Sequence, residues 1–328
     1  RLGAMDFLQK RARRGKEWLE KYIEGARSGD HKRGGLRSEP AYAQGRPATY
    51  ELSRALFLQL MGLVYFVALS SYFVQFEGLF GAEGLAPISQ QLASARHLHW
   101  TQYPSLVRWH SALGIDAYAL CNALTVAGML LSALAVSGYG NAMVMLGCWV
   151  VYLSLATVGE VFLYYQWDSL LCEAGFLAIL FAPLTGRPSR SSSTSHIVLW
   201  LLRFLLFKLM LMSGVVKISS NDPTWLNLTA LNYHFASQCI PTPAAWYFRQ
   251  LHPLMLQGGV AFALLVEFPI ALCILVPFRS VRHPVALLNV VLQGLITVTG
   301  NYGFFNLLTG VLCVPLVDDS VWAKVLGT

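Results

Sequence analysis

Apolar runs of membrane-spanning length constrain this chain more than any other feature. Ala55–Phe73, Ala117–Val136, Ala142–Val158, Ile197–Val216 and Leu254–Val276 each offer seventeen or more mostly apolar residues in a row, and a helix crossing a bilayer's hydrocarbon core needs about 20. Leu170–Leu184 falls short alone but is extended by Val161–Trp167. Val285–Thr299 and Phe304–Val317 are shorter still, separated only by Gly300-Asn301-Tyr302-Gly303. They form either a tight helical hairpin or one re-entrant element packed inside the bundle. The expected fold is all-α, a polytopic transmembrane helical bundle of about eight spans with the last two open. Composition points the same way. The 328 residues are 55% hydrophobic and only 12% charged, against about 25% charged in soluble domains. That is too little charge to cover a water-facing surface, so the excess apolar surface needs lipid.

Charge gathers ahead of the first run. Residues 1–50 hold twelve Lys or Arg against six Asp or Glu, which is +6 of the formal +7. Beside a span, a basic segment marks the cytosolic side, and no zinc-ligand spacing or other DNA-reading motif favours nucleic acid. Residues 1–50 are thus expected to be a basic cytosolic tail, and residues 51–328 a transmembrane helical domain. Within the tail, Trp18, Leu19, Tyr22, Ile23 and Ala26 stand at helical spacing among Lys and Arg. They suit an amphipathic helix on the cytosolic leaflet or an ordinary solvated helix, and residues 28–48 read as a flexible linker. Alternating the spans from a cytosolic start puts the short basic loops 185–196 (Arg187, Arg190) and 278–284 (Arg279, Arg282) in the cytosol. Segments 74–116, 159–168 and 217–253 then lie in the lumen. The sequon Asn227-Leu228-Thr229 falls in the last of these, the side on which glycosylation has to occur.

The cysteines at 121, 148, 172, 239, 273 and 313 show no CxxC and no metal-ligand spacing. Five lie in apolar runs, where a cysteine behaves as a small buried hydrophobe, and Cys239 lies in a polar loop. The first apolar stretch follows some fifty polar residues, so no cleavable signal peptide is expected and the first span serves as the targeting signal.

Two inter-helix segments concentrate the polar chemistry. In Tyr164-Tyr165-Gln166-Trp167-Asp168-Ser169-Leu170-Leu171-Cys172-Glu173-Ala174-Gly175-Phe176, aromatics mark a membrane boundary. Asp168 is placed to cap the helix that follows. Glu173 lies one turn deeper, and an ionised side chain at that depth costs roughly 2.5–3.5 kcal/mol on insertion scales, so it should face protein or water. Arg203 and Lys208 lie inside Ile197–Val216, and Glu267 inside Leu254–Val276. These charges read as buried pairs that fix helix neighbours, with a substrate or proton pathway as the alternative. The second segment, Lys217 to Tyr247, mixes Trp225, Tyr233, His234, Trp246 and Tyr247 with turn formers and with Pro241 and Pro243. Prolines spaced in this way stiffen the backbone. Such a segment either packs on the bundle or offers a partner-binding surface. Nothing along the chain pairs a nucleophile with a positioned base.

The chain resembles the lipase maturation factors of the endoplasmic reticulum. The likeness is carried by Gln166 to Leu177, by Ser213-Gly214-Val215-Val216-Lys217, by Leu228 to Phe235 with Gln238 to Trp246, and by Gly300 to Thr309. The Cys239–Trp246 stretch and the Asn301 region resemble the family's second branch more than its first. The resemblance implies a multi-pass membrane protein of the endoplasmic reticulum that helps secreted proteins fold, notably dimeric lipases such as lipoprotein lipase. It implies no catalytic centre, cofactor, metal or nucleotide. It also implies a large lumenal domain after the last span. Eight spans from a cytosolic start would put that continuation in the cytosol, and a single pass plus a re-entrant turn at Gly300–Gly303 would reconcile the two.

The leading expectation is a folding or maturation factor, not an enzyme, whose client contacts are Trp225, Tyr233, His234, Trp246 and Tyr247. The rival is a membrane enzyme, more weakly similar to vitamin K-dependent carboxylases, with a desolvated Lys208 as its base. A transporter is third, since inverted repeats are not visible.

Overall fold

The computed structural model describes residues 48–188 and 194–327, so the basic tail, its amphipathic stripe and Arg190 lie outside the described residues. The fold is all-helical. Long helices run over Glu51–Phe80 (α1), Ala117–Leu134 (α2), Ala142–Val158 (α3), Gln166–Phe181 (α4), His196–Ser219 (α5), Pro253–Glu267 (α6), Arg279–Thr299 (α7) and Phe305–Cys313 (α8). Residues 50–318 form one compact unit. In the other, the described part is 48–49 with 319–327, where the Asp319 N–H donates to the Thr49 carbonyl at 3.1 Å.

The long apolar runs fold as helix, although Val161–Trp167 is mostly turn, and among the described residues length and apolarity qualify five stretches as spans, or up to six counting a bent pair, rather than eight: Glu51–Phe80, Ala117–Tyr139, His196–Ser219, Pro253–Leu275 and Arg279–Thr299. The shortfall has local causes. α3 is 17 residues long, about 25 Å at the helical rise. α4 has 16 residues and carries Asp168 and Glu173. α8 has nine before a 3-10 turn containing Pro315. The span begun by α6 breaks at Phe268, where Pro269 restarts the helix. α1 is longer than expected, because residues 74–80 continue the helix instead of opening a loop. There Tyr72 and Phe80 stack at 5.3 Å, and Phe80 meets the edge of Phe162 at 5.9 Å.

Phe57, Met61, Tyr65, Leu69, Leu171 and Leu202 have no exposed surface and mark the core, which α4 shares with α1 on one side and α5 on the other. Tyr65 fits because position 175 is glycine. A Cβ there would stand 1.8 Å from the Tyr65 hydroxyl.

The bundle's two ends differ in chemistry. At one, arginines bind backbone carbonyls: Arg203 Nε donates to Pro315 O at 3.0 Å, and Arg282 Nη1 to Pro277 O at 2.7 Å. Arg282 Nη2 donates to the Tyr50 hydroxyl at 2.6 Å, and the Arg203 guanidinium sits over the Tyr50 ring at 4.9 Å. The Ser53 hydroxyl donates to Val317 O at 2.7 Å, so α8 returns to the end from which α1 starts. The other end gathers aromatics. Tyr152 meets Phe304, Trp167 meets Phe305, and Tyr302 meets His234.

Candidate functional site

The aromatic end is built by residues 217–253, which fold back on the bundle as three short helices, Pro223–Leu226, Ala230–Ser237 and Pro243–Arg249. Their starts follow from sequence. Asp222 precedes Pro223 and accepts the Thr224 N–H at 2.8 Å, while Thr242 precedes Pro243 and accepts the Ala245 N–H at 3.2 Å. A polar cap followed by proline at the first helical position is a strong helix start. Phe235, Ala245 and Leu256 form a buried cluster joined by Leu231, Phe248 and Leu251. The spacing 231/235 and 245/248 puts these residues on the inner faces of their helices.

Side chains from this segment complete the end of α7. Gln238 Nε2 donates to Thr299 O and Thr242 Oγ1 to Val298 O, each at 2.9 Å. The last carbonyls of a helix lack intrahelical donors, and here the segment supplies them. His234 Nε2 lies 3.2 Å from the Tyr302 hydroxyl, with the two rings parallel within 6°. Burial, and then the nearby Lys217 charge, push the imidazole below its ordinary pKa, so it stays neutral in this contact.

The residues expected to contact clients therefore divide. Tyr233, Trp246 and Tyr247 are 62%, 61% and 67% exposed, with Trp246 and Tyr247 edge to face at 5.0 Å. His234 is turned toward Tyr302, and Trp225 is half-buried with the Lys217 ammonium 5.2 Å from its ring centroid. Asn227 is exposed, beside Leu228 at a φ of +57°.

The intramembrane charges also have defined places. Asp168 is not the N-cap. It stands at the third position of α4, accepts the Tyr165 N–H at 3.2 Å, and takes the Tyr152 hydroxyl at 2.5 Å. The aromatic Tyr165 thus caps the helix with the carboxylate reaching back to it, an arrangement that polar-cap rules do not anticipate. Glu173 pairs with Lys208 at 2.5 Å, both side chains about half exposed. Glu267, 6% exposed, pairs not with Lys208 or Arg203 but with Lys217 at 2.6 Å. Gly214 makes that possible, since a Cβ there would come within 2.9 Å of the Glu267 carbonyl. The close approach of α5 and α6 leaves Lys217, one turn on, facing the carboxylate. Lys208 is thereby an ion-pair partner, not the desolvated base that the enzyme reading needs. Among the described residues no His, Cys, Asp and Glu cluster could hold a metal.

Residues 213–247, together with Gln166–Leu177 and Gly300–Thr309, hold the stretches that resemble the lipase maturation factors, and the family comparison covers them all. The lipase maturation factor transmembrane domain matches residues 52–324. The chain belongs to the lipase maturation factor family. It is 44% identical to lipase maturation factor 2 of Xenopus laevis over 278 residues, covering 82% of this chain and 39% of that relative. Against human lipase maturation factor 2 the identity is 41%, covering 82% and 40%. Against mouse lipase maturation factor 1 it is 31%, covering 87% and 51%. The second branch is therefore the more similar, and the chain spans about two fifths of the length of these second-branch relatives. No solved structure matches the chain.

Sequence reasoning passed over two features of this family member. Lys217, at the edge of a loop, was not expected to be the partner of Glu267. Segment 81–116 drew no site, although it exposes Trp100 and Trp109 and carries His97, His99 and His110 beside Arg96 and Arg108. That density of tryptophan, histidine and arginine was the available signal.

Proposed function

We propose that this chain is the membrane part of an endoplasmic reticulum factor that assists the maturation of secreted lipases, and that Tyr233, Trp246 and Tyr247 form its client-contact face. The observation that carries this reading is an exposed aromatic set held on a segment that is itself docked. The backbone beneath it is fixed by Gln238, Thr242 and the Phe235 cluster. Large rigid aromatics are the usual anchors of protein recognition. Membership of the lipase maturation factor family supports a maturation role over enzyme or transporter, and dimeric lipases such as lipoprotein lipase are the clients we propose.

In this reading residues 1–50 are cytosolic, and segments 74–116, 159–168 and 217–253 are lumenal with Asn227 glycosylated. The basic tail, the Arg187 loop and the sequon support that orientation. Expression in microsomes tests it. N-glycan hydrolase should shift the mobility of the wild type and leave Asn227→Gln unshifted. Cleavage of loop 217–253 by a protease added from the cytosolic side would overturn the topology. For the client face, Tyr233→Ala and Trp246→Ala are compared with wild type for abundance, lipase capture and secreted lipase activity. Loss of capture at unchanged abundance is expected. Normal capture by both variants at full abundance would assign client binding elsewhere.

A further inference from the structure

Segment 88–118 encloses a cleft of about 370 Å³ that none of the preceding contacts uses. Its volume lies at the small end of ligand pockets, which run about 300–1,000 Å³. Its lining mixes apolar Leu92, Ala95 and Ala117 with Arg96, Arg108 and Asp116. Both signs of charge are present, and each is arranged to be used. Arg108 is pinned from behind, with Nη2 donating to Leu98 O at 2.8 Å and Nη1 lying 3.4 Å from Tyr103 O, so the guanidinium is held in place against the cleft. Arg96 lines the cleft and is exposed. Asp116 caps α2 through Oδ2 alone, which accepts the Tyr118 and Ala119 N–H groups at 3.0 and 3.2 Å. Asp116 and Tyr118 line the cleft together, and neither cap bond uses Oδ1. Among the described residues the buried Tyr103 hydroxyl meets no hydrogen-bond partner, and burial, followed by the Glu160 charge, pushes its phenol up to about 12, so it keeps its proton.

The surroundings fix where this cleft sits. It opens at the first turn of α2, the start of a spanning stretch. Around it Trp100, Leu106, Trp109, Leu113 and Ile115 are 63%, 41%, 58%, 59% and 42% exposed. Exposed tryptophans flanked by aliphatic side chains at the end of a span belong in the headgroup layer of a bilayer. A guanidinium fork matches phosphate oxygens, and a carboxylate oxygen beside an aromatic face matches an ammonium.

We propose that this cleft binds the headgroup of a zwitterionic phospholipid, with the phosphate on Arg96 and Arg108 and the ammonium on Asp116 and Tyr118. The lipid is drawn from the leaflet at the aromatic end. Its acyl chains leave across Trp100 and Trp109, and the site holds a headgroup rather than a whole lipid.

The purified chain in nonionic detergent, monitored by thermal unfolding, is titrated with dihexanoyl phosphatidylethanolamine, dihexanoyl phosphatidic acid and inorganic phosphate. Wild type should show saturable stabilisation, strongest with the ethanolamine lipid. Arg96→Ala removes an exposed side chain, so its unfolding midpoint without ligand should match wild type while affinity for both lipids falls about tenfold or more. Asp116→Asn preserves a helix-capping side chain and should keep the phosphatidic acid affinity while losing the preference for the ethanolamine lipid. Equal stabilisation by inorganic phosphate would replace the lipid with a free anion and overturn the proposal. So would wild-type affinity in Arg96→Ala, or an ethanolamine preference that survives Asp116→Asn.

Discussion

Lys217→Met tests whether α5 and α6 are joined by charge, and the magnitude follows from what each partner keeps. In the wild type, Lys217 Nζ lies 2.6 Å from Glu267 Oε2, 3.3 Å from Ser213 O and 5.2 Å from the Trp225 ring centroid. Methionine leaves a carboxylate that is only 6% exposed with nothing to meet it. Removing one partner of a buried pair costs about 3–5 kcal/mol, and the lost contact with the indole adds roughly 0.5–1 kcal/mol. Glu267→Gln is the gentler change. The amide fills the same space, and Lys217, with 22% of its side chain exposed, keeps the Ser213 carbonyl and the Trp225 face. Its cost is that of weakening one charged hydrogen bond, about 1.5–3 kcal/mol. In the double variant no charge is buried, so the loss should fall below the sum of the singles by about 2 kcal/mol. Reversible unfolding of the purified variants in mixed micelles of one composition, followed by near-ultraviolet circular dichroism, measures all three. A double variant that loses the full sum refutes the pairing, and so does a Lys217→Met that costs no more than Glu267→Gln.

Gly175→Ala should cost about 1–3 kcal/mol in the same assay, because the new Cβ meets the Tyr65 hydroxyl at 1.8 Å inside a fully buried core. Tyr65→Phe removes a hydroxyl that has no hydrogen-bond partner among the described residues, so alone it should be near neutral; in combination it should recover part of the Gly175→Ala loss, since Trp149 Cδ1 and Tyr65 Cζ still lie 3.0 and 3.1 Å from the new Cβ, and no recovery would mean the hydroxyl is not the obstacle. Lys208→Met should lower the folded yield from detergent, and a second change at Glu173, but not at Glu267, should restore part of it. The His234 pKa is lowered in the folded chain, so its contribution to docking residues 217–253 is fully present above the ordinary histidine value, about 6.5, and is lost as pH falls below that and through the lowered folded value. Tryptic cleavage at Arg249 should accelerate between pH 7 and 5.5 relative to an unstructured control peptide, and a His234→Gln variant with the same acceleration would remove histidine from the explanation.

What the sequence discloses and what it hides follow from the range over which each signal acts. α1, α2, α5 and α6 are legible because a run of apolar residues of the right length is a local property. Which acid meets which base is not local. Glu267 lies deep in an apolar run and Lys217 at the margin of a polar segment, and only the α5–α6 crossing at Gly214 brings them together. Hydropathy carries no record of helix neighbours or rotation, so Lys208, equally deep, was a natural but mistaken partner for Glu267, although it does meet Glu173. The division of the client-contact residues lay closer to hand. Leu231, His234 and Phe235 stand at i, i+3 and i+4, which assigns His234 to the inner face and leaves Tyr233 outside. Composition alone treated all five residues as equivalent. The 16-residue α4 shows the limit of counting, since its two carboxylates depress hydropathy below that of a span while Asp168 is wholly satisfied by Tyr152 and the Tyr165 N–H.

The two ends of the bundle solve one physical problem in different ways, and the difference bears on function. A helix end in or near lipid must give its free carbonyls a donor, since unsatisfied groups there cost several kcal/mol each. At the arginine end the donors are guanidiniums on neighbouring spans, Arg203 on Pro315 and Arg282 on Pro277, so the solution is internal to the bundle. At the aromatic end the α7 carbonyls of Val298 and Thr299 are met by Thr242 and Gln238, which belong to a segment between spans. Undocking that segment therefore exposes two helix carbonyls as well as the Phe235 cluster. This penalty holds Tyr233, Trp246 and Tyr247 in one place, although little covers them. A tether would need none of these contacts. A face that must meet another protein repeatedly gains from all of them, because the entropy of ordering its backbone is lost on folding and not again on binding.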